Sequence, residues 1–149
     1  MLDDLDIKIL EILQDKGRTK RSEIAEAIEM TAPTVSERLN KLEDKGVITG
    51  YYTKLDKKRF GYDITTFIMV HMESSKHYKT LYGKVEKHPN ILECHSILGE
   101  GSHLLKVIAK NTDELEKVLA EIQSWPDVNS TRSFFVLSTL KETTKINIK

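Results

Sequence analysis

The sequence predicts an α+β protein: an N-terminal helix-turn-helix of the winged-helix type, joined by a hinge strand to a ferredoxin-like βαββαβ domain. Two observations lead to this prediction. Residues 20–48 have the order of a short helix, a tight turn, a second helix and a strand. The second half of the chain contains the same strand–helix pattern twice. The predicted boundaries are residues 1–48 for the helix-turn-helix, 49–62 for the hinge strand and linker, and 63–149 for the βαββαβ domain.

Residues 1–48 divide into three amphipathic helices. Leu5, Ile9, Ile12 and Leu13 mark the apolar face of the first, and Ile24, Ala25 and Ile28 that of the second. The third has Val35, Leu39 and Leu42 at i, i+4, i+7 spacing, which gives it one narrow buried face. Thr31 is a good N-cap for this helix, Pro33 falls in its first turn, and Gly46 ends it.

The opposite face of the third helix is polar. A helix that is anchored on one side and polar on the other can lie in the DNA major groove and contact base edges. The candidate base-reading residues are Thr34, Ser36, Glu37, Arg38 and Lys41, with Thr31 at the start of the helix. The alternative is a small helical bundle that binds no DNA. The sequence Gly46-Val47-Ile48 favours the winged unit, because it places a glycine stop and a strand directly after the helix.

Charge gives a mixed indication. The chain has 23 Lys and Arg and 23 Asp and Glu, so it lacks the positive charge that is typical of a DNA-binding protein. The positive residues are clustered, however. Arg18, Lys20 and Arg21 lie where the second helix begins, and we expect them to contact the phosphate backbone.

The second half is an internal repeat with a shift of 37 residues. His88-Pro89-Asn90-Ile91 aligns with Trp125-Pro126-Asp127-Val128, and each copy contains an amphipathic helix ended by proline and flanked by strands. The strands are apolar at nearly every position, as in residues 67–70 and 134–137, which is typical of strands that are buried on both faces. Two helices can cover only one face. The sequence therefore predicts a dimer in which a second copy covers the other.

Several classes of protein are disfavoured. No run of about 18 apolar residues could span a membrane, and the acidic N-terminus is unlike a signal peptide, so we expect a cytoplasmic protein. The single cysteine excludes an internal disulfide. The chain has no Gly-rich phosphate loop and no nucleophile elbow, so we expect no enzyme activity, no cofactor and no metal. His71, Glu73, His95 and His103 could be drawn as a metal site, but surface or strand-end histidines are the simpler interpretation.

An alternative function stays open at this point. The ferredoxin-like half hosts many kinds of chemistry in other proteins. The chain could therefore be a dimeric small-molecule-binding protein or an enzyme that carries an accessory helical domain.

The two halves together resemble the Lrp/AsnC, or feast/famine, family of prokaryotic transcription regulators. The segments that carry the resemblance are LDDLDIKILEILQDKGR, TVSERLNKLEDKGVITGY and VNSTRSFFVLSTLKETT. The resemblance implies a sequence-specific DNA-binding regulator that forms dimers and often octamers. It implies a palindromic duplex operator, and a small effector such as an amino acid that binds the C-terminal domain.

The chain departs from the family pattern at three positions. Lys20 replaces the usual serine ahead of the second helix, so capping is expected to fall to Thr19. Glu29 occupies a turn position where glycine is usual, and glutamate tolerates a positive φ poorly. The sequence Gly99-Glu100-Gly101-Ser102 stands where effector-binding members have a Gly-Asp-Tyr-Asp-like loop.

The third departure concerns the effector site. We expect any small effector to contact Gly99, Glu100, Gly101 and Ser102 together with Thr131 and Ser133. Glu100 is the one carboxylate left to bind an ammonium group, and the glycines allow the backbone to approach a ligand closely. We therefore expect a modified or absent amino-acid response. A tight hairpin turn without a ligand is the alternative.

Overall fold

The computed structural model describes residues 1–149, which form two compact units. The N-terminal unit comprises Met1–Lys54 together with the tail Lys141–Lys149, and the sheet unit comprises Leu55–Leu140. The last nine residues, which the sequence assigned to the C-terminal domain, lie with the N-terminal helices, and the boundary of the two units lies between residues 54 and 55, inside the predicted linker. None of the α-helices has the length and hydropathy that a bilayer crossing requires.

Three helices form the N-terminal unit: α1 (Asp4–Asp15), α2 (Arg21–Ala27) and α3 (Ala32–Asp44). Their buried core contains Ile9, Ile24, Ala25, Ile28, Val35 and Leu39, as the apolar spacing predicted. The predicted ends of α3 are confirmed as well. The Thr31 hydroxyl accepts a hydrogen bond from the Thr34 amide at 3.3 Å, and Gly46 ends the helix region with a φ of 68°.

The predicted cap of α2 is wrong. Lys20 is the N-cap residue, and its backbone N–H donates to the Glu23 carboxylate at 3.0 Å. The Thr19 hydroxyl instead donates to the Lys16 carbonyl at 2.6 Å, so it closes the turn after α1. The Glu23 carboxylate thus satisfies the N–H of the N-cap residue, which is the half of a capping box that does not need a serine.

The predicted hinge strand is absent from the single chain. Residues 49–56 have no regular secondary structure, and a 3-10 turn follows at Lys57–Phe60. A strand needs a hydrogen-bonded neighbour, and this segment finds none within its own chain. The Tyr51 hydroxyl donates instead to the Glu43 carboxylate on α3, at 2.9 Å.

The sheet unit has the predicted βαββαβ order. Its elements are β1 (Ile64–Met72), α4 (Tyr78–Lys87), β2 (Ile91–Ser96), β3 (His103–Ala109), α5 (Thr112–Ser124) and β4 (Val128–Phe135). The strands lie in the order β2-β3-β1-β4 and every neighbouring pair is antiparallel. This is the ferredoxin-like arrangement, with β2 and β4 at the edges.

Both helices of this unit pack on the same face of the sheet. Ile68 and Val70 of β1 and Leu105 and Val107 of β3 are fully buried there. They pack against helix residues Leu81, Val118 and Ile122, with Trp125 at the end of α5. Since residues directly paired across antiparallel strands point to one face, the core is a single layer between sheet and helices.

The other face of the sheet, which we call the open face, is apolar and uncovered. Pairing places Phe67 beside Phe134, and Met69 beside Leu104, on this face. Phe134 keeps 46% of its surface exposed, although phenylalanine is usually buried. The strands of one chain are therefore covered on one side only. They can be buried on both sides, as the sequence predicts, only if a second molecule covers the open face.

Glu29 adopts the conformation that the sequence disfavoured. Its φ is 56°, in the left-handed region, at the turn between α2 and α3. A non-glycine residue there costs on the order of 1 kcal/mol. Glycine removes that cost but gains entropy in the unfolded chain, which offsets part of the benefit.

We predict that Glu29→Gly raises the free energy of unfolding by about 0.5–1 kcal/mol, measured by urea denaturation of the full chain. Glu29→Gln, which keeps the side-chain carbon responsible for the strain, is the control and should leave stability nearly unchanged. An equal gain in both variants would mean that the charge of Glu29, not its backbone conformation, limits stability.

Candidate nucleic-acid interface and effector loop

Helix α3 is buried along one face and exposed along the other. Val35, Leu39 and Leu42 are at most 4% exposed, whereas Glu37 and Lys41 are exposed on the opposite side. Thr34 and Ser36 are half-buried on the flanks, and Thr31 is exposed at the start of the helix. Asn40 also lies on the exposed face, although the sequence argument did not select it as a site residue. This arrangement leaves a continuous polar surface on the helix.

Glu37 and Lys41 form an ion pair across one turn of this surface, with 2.8 Å between the carboxylate and the ammonium. The hydrogen bond from Lys41 lowers the pKa of Glu37 below its usual value. The carboxylate is therefore an acceptor at neutral pH and can take a hydrogen bond from a cytosine amino group, while Lys41 can donate to a guanine edge.

Arg38, which the sequence selects as a base-reading residue, is half-buried and bound to α1 in this structure, so its contact with base edges stays a prediction. Its guanidinium Nη1 lies 2.7 Å from the Asp3 carboxylate and 2.8 Å from that of Asp6. Asp3 and Asp6 also cap the first turn of α1 through reciprocal hydrogen bonds to each other's backbone. The Arg38 side chain therefore reaches from α3 to the first turn of α1 and joins the two helices through this ion-pair clamp.

The start of α2 lies beside the middle of α3. The Arg21 guanidinium donates to the Ser36 hydroxyl at 3.0 Å, which connects a candidate phosphate-binding residue to a candidate base-reading residue. Lys20 and Arg18 are exposed just ahead of α2. The structure thus places the N-terminal end of α2 and the polar face of α3 on neighbouring surfaces, as contacts to a DNA backbone and an adjacent groove require.

Tyr51 is a neighbour of this region that the sequence argument missed. Burial and the hydrogen bond to Glu43 raise the pKa of its hydroxyl to about 12. The contact fixes the chain after α3 against that helix. No local sequence pattern indicates it, because the two residues are eight positions apart and belong to different kinds of structure.

The predicted effector loop connects β2 to β3, and its glycines have a structural role. Gly99 and Gly101 have φ values of 111° and 82°. A side-chain carbon at Gly101 would come within 2.7 Å of the Met69 side chain, so only glycine allows the loop to approach β1 this closely. The Ser102 amide donates to the Val70 carbonyl at 2.9 Å, and this hydrogen bond holds the end of the loop against β1.

The loop contacts one side of β4. Glu100 forms an ion pair with Arg132 at 2.9 Å, and Arg132 is paired with Met69, so it lies on the open face. Thr131 and Ser133 alternate with Arg132 and therefore point to the helix-covered face, where the Thr131 hydroxyl accepts from Gln123 at 2.9 Å. The six candidate effector residues thus divide between two faces, and Arg132 is a neighbour of the loop that the sequence argument missed.

His103 anchors the loop from the core side. It is fully buried, and burial lowers its pKa. Its ring nitrogens contact the Ser102 hydroxyl at 2.8 Å and the Tyr82 hydroxyl at 3.2 Å. His95 is paired with Leu104 and points to the open face. Since His95 and His103 lie on opposite sides of the sheet, they do not form the metal site that could be drawn from the sequence.

Comparison with known proteins fits this geometry. Residues 2–49 match the family model described as winged helix-turn-helix DNA-binding, and residues 65–146 match the Lrp/AsnC ligand binding domain. The chain belongs to the Lrp/AsnC family.

Relatives match along the whole chain. The HTH-type transcriptional regulator FL11 of Pyrococcus horikoshii is 35% identical over 99% of this chain and 97% of its own length. The regulatory protein AsnC of Escherichia coli is 32% identical over 92% of this chain and 91% of its own.

Solved structures agree in fold. A transcriptional regulator from Neisseria meningitidis, crystallised as a complex with L-Met, is 30% identical, covers 99% of this chain and 97% of its own, and has a TM-score of 0.93. The structure of E. coli AsnC gives a TM-score of 0.89 at 31% identity, covering 97% and 98%. This Lrp/AsnC protein is therefore a transcriptional regulator with a DNA-binding helix-turn-helix.

In this Lrp/AsnC protein the ion pairs of Arg38 with Asp3 and Asp6, which we call the clamp, make stability depend on pH. The hydrogen bond from Arg38 lowers the pKa of Asp3 in the folded state. A carboxyl with a lowered pKa stabilises the fold above its unfolded pKa of about 4, and the contribution is lost as pH falls through the lower folded value.

We predict that the wild-type melting temperature falls more steeply below about pH 4 than that of Arg38→Gln, measured by circular dichroism between about pH 3 and 6. Arg18→Gln removes the same charge from an exposed position and should follow the wild-type profile. Parallel profiles for wild type and Arg38→Gln would mean that the clamp adds nothing to the stability of the fold.

Proposed function

We propose that this protein binds a roughly palindromic duplex operator as a dimer, inserts α3 of each subunit into the major groove, and regulates transcription in response to a small effector, without enzyme activity of its own. The observation that carries the proposal is the polar face of α3, held outward by Val35, Leu39 and Leu42 and bordered by Arg21. A protein with this target acts where the DNA lies, which in bacteria and archaea is the cytoplasm.

The roles follow from position. Thr34, Ser36, Glu37 and Lys41, with Thr31 at the helix start, face the base edges; Arg18, Lys20 and Arg21 contact phosphates. A two-fold dimer presents two such helices, so its half-sites lie about one helical turn, or a multiple, apart.

We predict different losses for the two groups of residues. Arg21→Gln should weaken specific and non-specific duplex alike and lower the slope of log affinity against log salt by about one unit. Glu37→Gln should leave the slope unchanged but alter base preference, at a cost of about 1–3 kcal/mol on the selected site. Operators are first selected from genomic fragments by the purified protein, and affinities are then measured by fluorescence anisotropy at several salt concentrations.

Glu86→Gln changes an exposed charge on α4 and is the matched control for the second variant. If Glu37→Gln and Glu86→Gln bind the selected operator equally well, then α3 does not contact the bases as proposed. If the protein shows no affinity for duplex DNA but turns over a substrate or binds a small molecule, the alternative of an enzyme or a small-molecule-binding protein is favoured.

The dimer is proposed to form through the open face, with further assembly toward an octamer as the family resemblance implies. Phe67, Met69, Leu104 and Phe134 give this face an apolar surface of a kind that monomeric proteins rarely expose. Covering it with a second copy removes this surface from water without any new element of structure.

We predict that Phe134→Glu shifts the protein toward a 17.1 kDa monomer in sedimentation velocity, because a carboxylate is costly to bury in an apolar interface. Lys79→Glu on the exposed side of α4 should leave the sedimenting mass unchanged. A wild-type protein that sediments as a monomer would contradict the proposed use of the open face.

The effector site is proposed at the loop Gly99–Ser102 and the adjoining segment of β4 that contains Thr131, Arg132 and Ser133. Glu100 and Arg132 are paired with each other and largely exposed. Together they offer a carboxylate for an ammonium group and a guanidinium for a carboxylate, which suits a zwitterion such as an amino acid.

We predict that a stabilising amino acid, found in a thermal-shift screen of the twenty, loses its effect in Glu100→Ala. A ligand at a hundred times its Kd stabilises by about 2.7 kcal/mol, so the loss is measurable. Glu116→Ala, an exposed change on α5, is the control and should keep the response. A full response in Glu100→Ala would place the effector elsewhere.

A further inference from the structure

The last nine residues of the chain, which we call the tail (Lys141–Lys149), lie along the C-terminal half of α1. The side-chain amide of Gln14 makes two hydrogen bonds to the backbone of Ile146: its Nε2 donates to the carbonyl at 3.1 Å, and its Oε1 accepts from the N–H at 2.8 Å. One side chain thus satisfies both backbone groups of one residue, as a neighbouring strand would. The tail is fixed in register on the helix.

Charged residues flank this central contact on both sides. Lys145 forms an ion pair with Asp15 at 2.5 Å, and Lys149 forms one with Glu11 at 3.2 Å. Glu11, Gln14 and Asp15 lie on one side of α1, because three- and four-residue spacings place helix residues next to each other. We call these three residues the acidic face of α1.

The tail changes the charge of the N-terminal unit. Residues 1–54 have nine lysines and arginines against eleven aspartates and glutamates, a net charge of −2. The tail has three lysines against one glutamate, a net charge of +2. The unit with its tail is therefore neutral, whereas the helices alone would repel a polyanion.

We infer that the acidic face of α1 is a docking site for a short basic segment, that its occupant is the chain's own tail, and that the docked tail favours DNA binding by cancelling the negative charge of the unit. The consequence for DNA rests on the proposed function. The docking itself rests only on the contacts of Gln14, Lys145 and Lys149. The positive charges of the tail act on the DNA through screened electrostatic attraction. Their effect is therefore larger at low salt, where the screening length is about 30 Å, than at 0.1 M, where it is about 10 Å.

Docking is tested without DNA by amide hydrogen exchange at Ile146 in the full-length protein. The Ile146 N–H should exchange at least about tenfold more slowly than in an unstructured peptide, because its hydrogen bond to Gln14 must open before the amide can exchange. Gln14→Ala should remove this protection. Exchange of Ile146 at the unstructured rate in the wild-type protein would overturn the docking.

A matched pair of variants separates docking from charge. Lys145→Gln and Lys141→Gln each remove one positive charge from the tail, but only Lys145 forms an ion pair with α1. Lys145→Gln should reduce the protection of Ile146, and Lys141→Gln should retain it. Equal loss in both would overturn the assignment of Asp15 as the partner.

The consequence for DNA is tested with a chain that ends at Leu140. We expect its affinity for duplex to be about two- to fivefold lower than that of the full chain at ~0.02 M salt, and the two to converge at ~0.5 M. An unchanged affinity at low salt would overturn the electrostatic role of the tail. The docking of the tail on α1 would then still be decided by the hydrogen exchange of Ile146. If the full chain binds no duplex at any salt concentration, the proposed function itself fails, and Ile146 exchange still decides the docking.

Discussion

Each unit of this protein has an amphipathic layer that can bury only one of its two faces within the chain. Helix α3 buries Val35, Leu39 and Leu42 and leaves its polar side in solvent. The sheet buries Ile68 and Val70 under two helices and leaves Phe134 partly exposed on the other side. The helices of each unit cover one face of its layer and no more. The fold therefore leaves two exposed surfaces of opposite character, the polar side of α3 and the apolar open face of the sheet. The polar one suits a nucleic acid and the apolar one suits a second copy, so one constraint accounts for both proposed partners.

Several charges of the N-terminal unit are paired with each other, and this pairing, together with the basic cluster at the start of α2, explains how a neutral chain can contain a DNA-binding unit. Arg38 neutralises the cap of α1, Lys41 is opposed by Glu37, and the tail lysines meet Glu11 and Asp15. Arg18, Lys20 and Arg21 are concentrated at the start of α2. At about 0.1 M salt, screening limits each surface charge to a range of about 10 Å, so local arrangement decides where a phosphate can bind, and net charge adds to the affinity only at lower salt.

The periodic features of the sequence predicted the fold well. The spacing of Leu39 and Leu42 located α3, and the repeat around the two prolines located the strand–helix units, because periodicity depends only on neighbouring residues. Apart from the cap of α2, which is local, the features that the sequence did not predict involve distant partners. The clamp from Arg38 to Asp3 spans 35 positions, and the pair of Glu100 with Arg132 spans 32. Periodicity contains no information on such pairs, so the roles of Arg38 and Arg132 and the division of the effector residues between two faces emerged only from the folded chain.

The effector loop illustrates why residue type alone does not identify a binding site. Gly101 is required by its positive φ and by its contact with Met69, whether or not a ligand binds. The buried His103 behind the loop contacts the hydroxyls of Ser102 and Tyr82, so Ser102 also has a structural role in the core. Glu100 has no such explanation in the core. Its ion pair with Arg132 is exposed, and exposed pairs contribute little to stability. Of the loop residues, Glu100 is therefore the one whose identity the fold does not require, and that freedom makes it the residue best suited to recognise an effector.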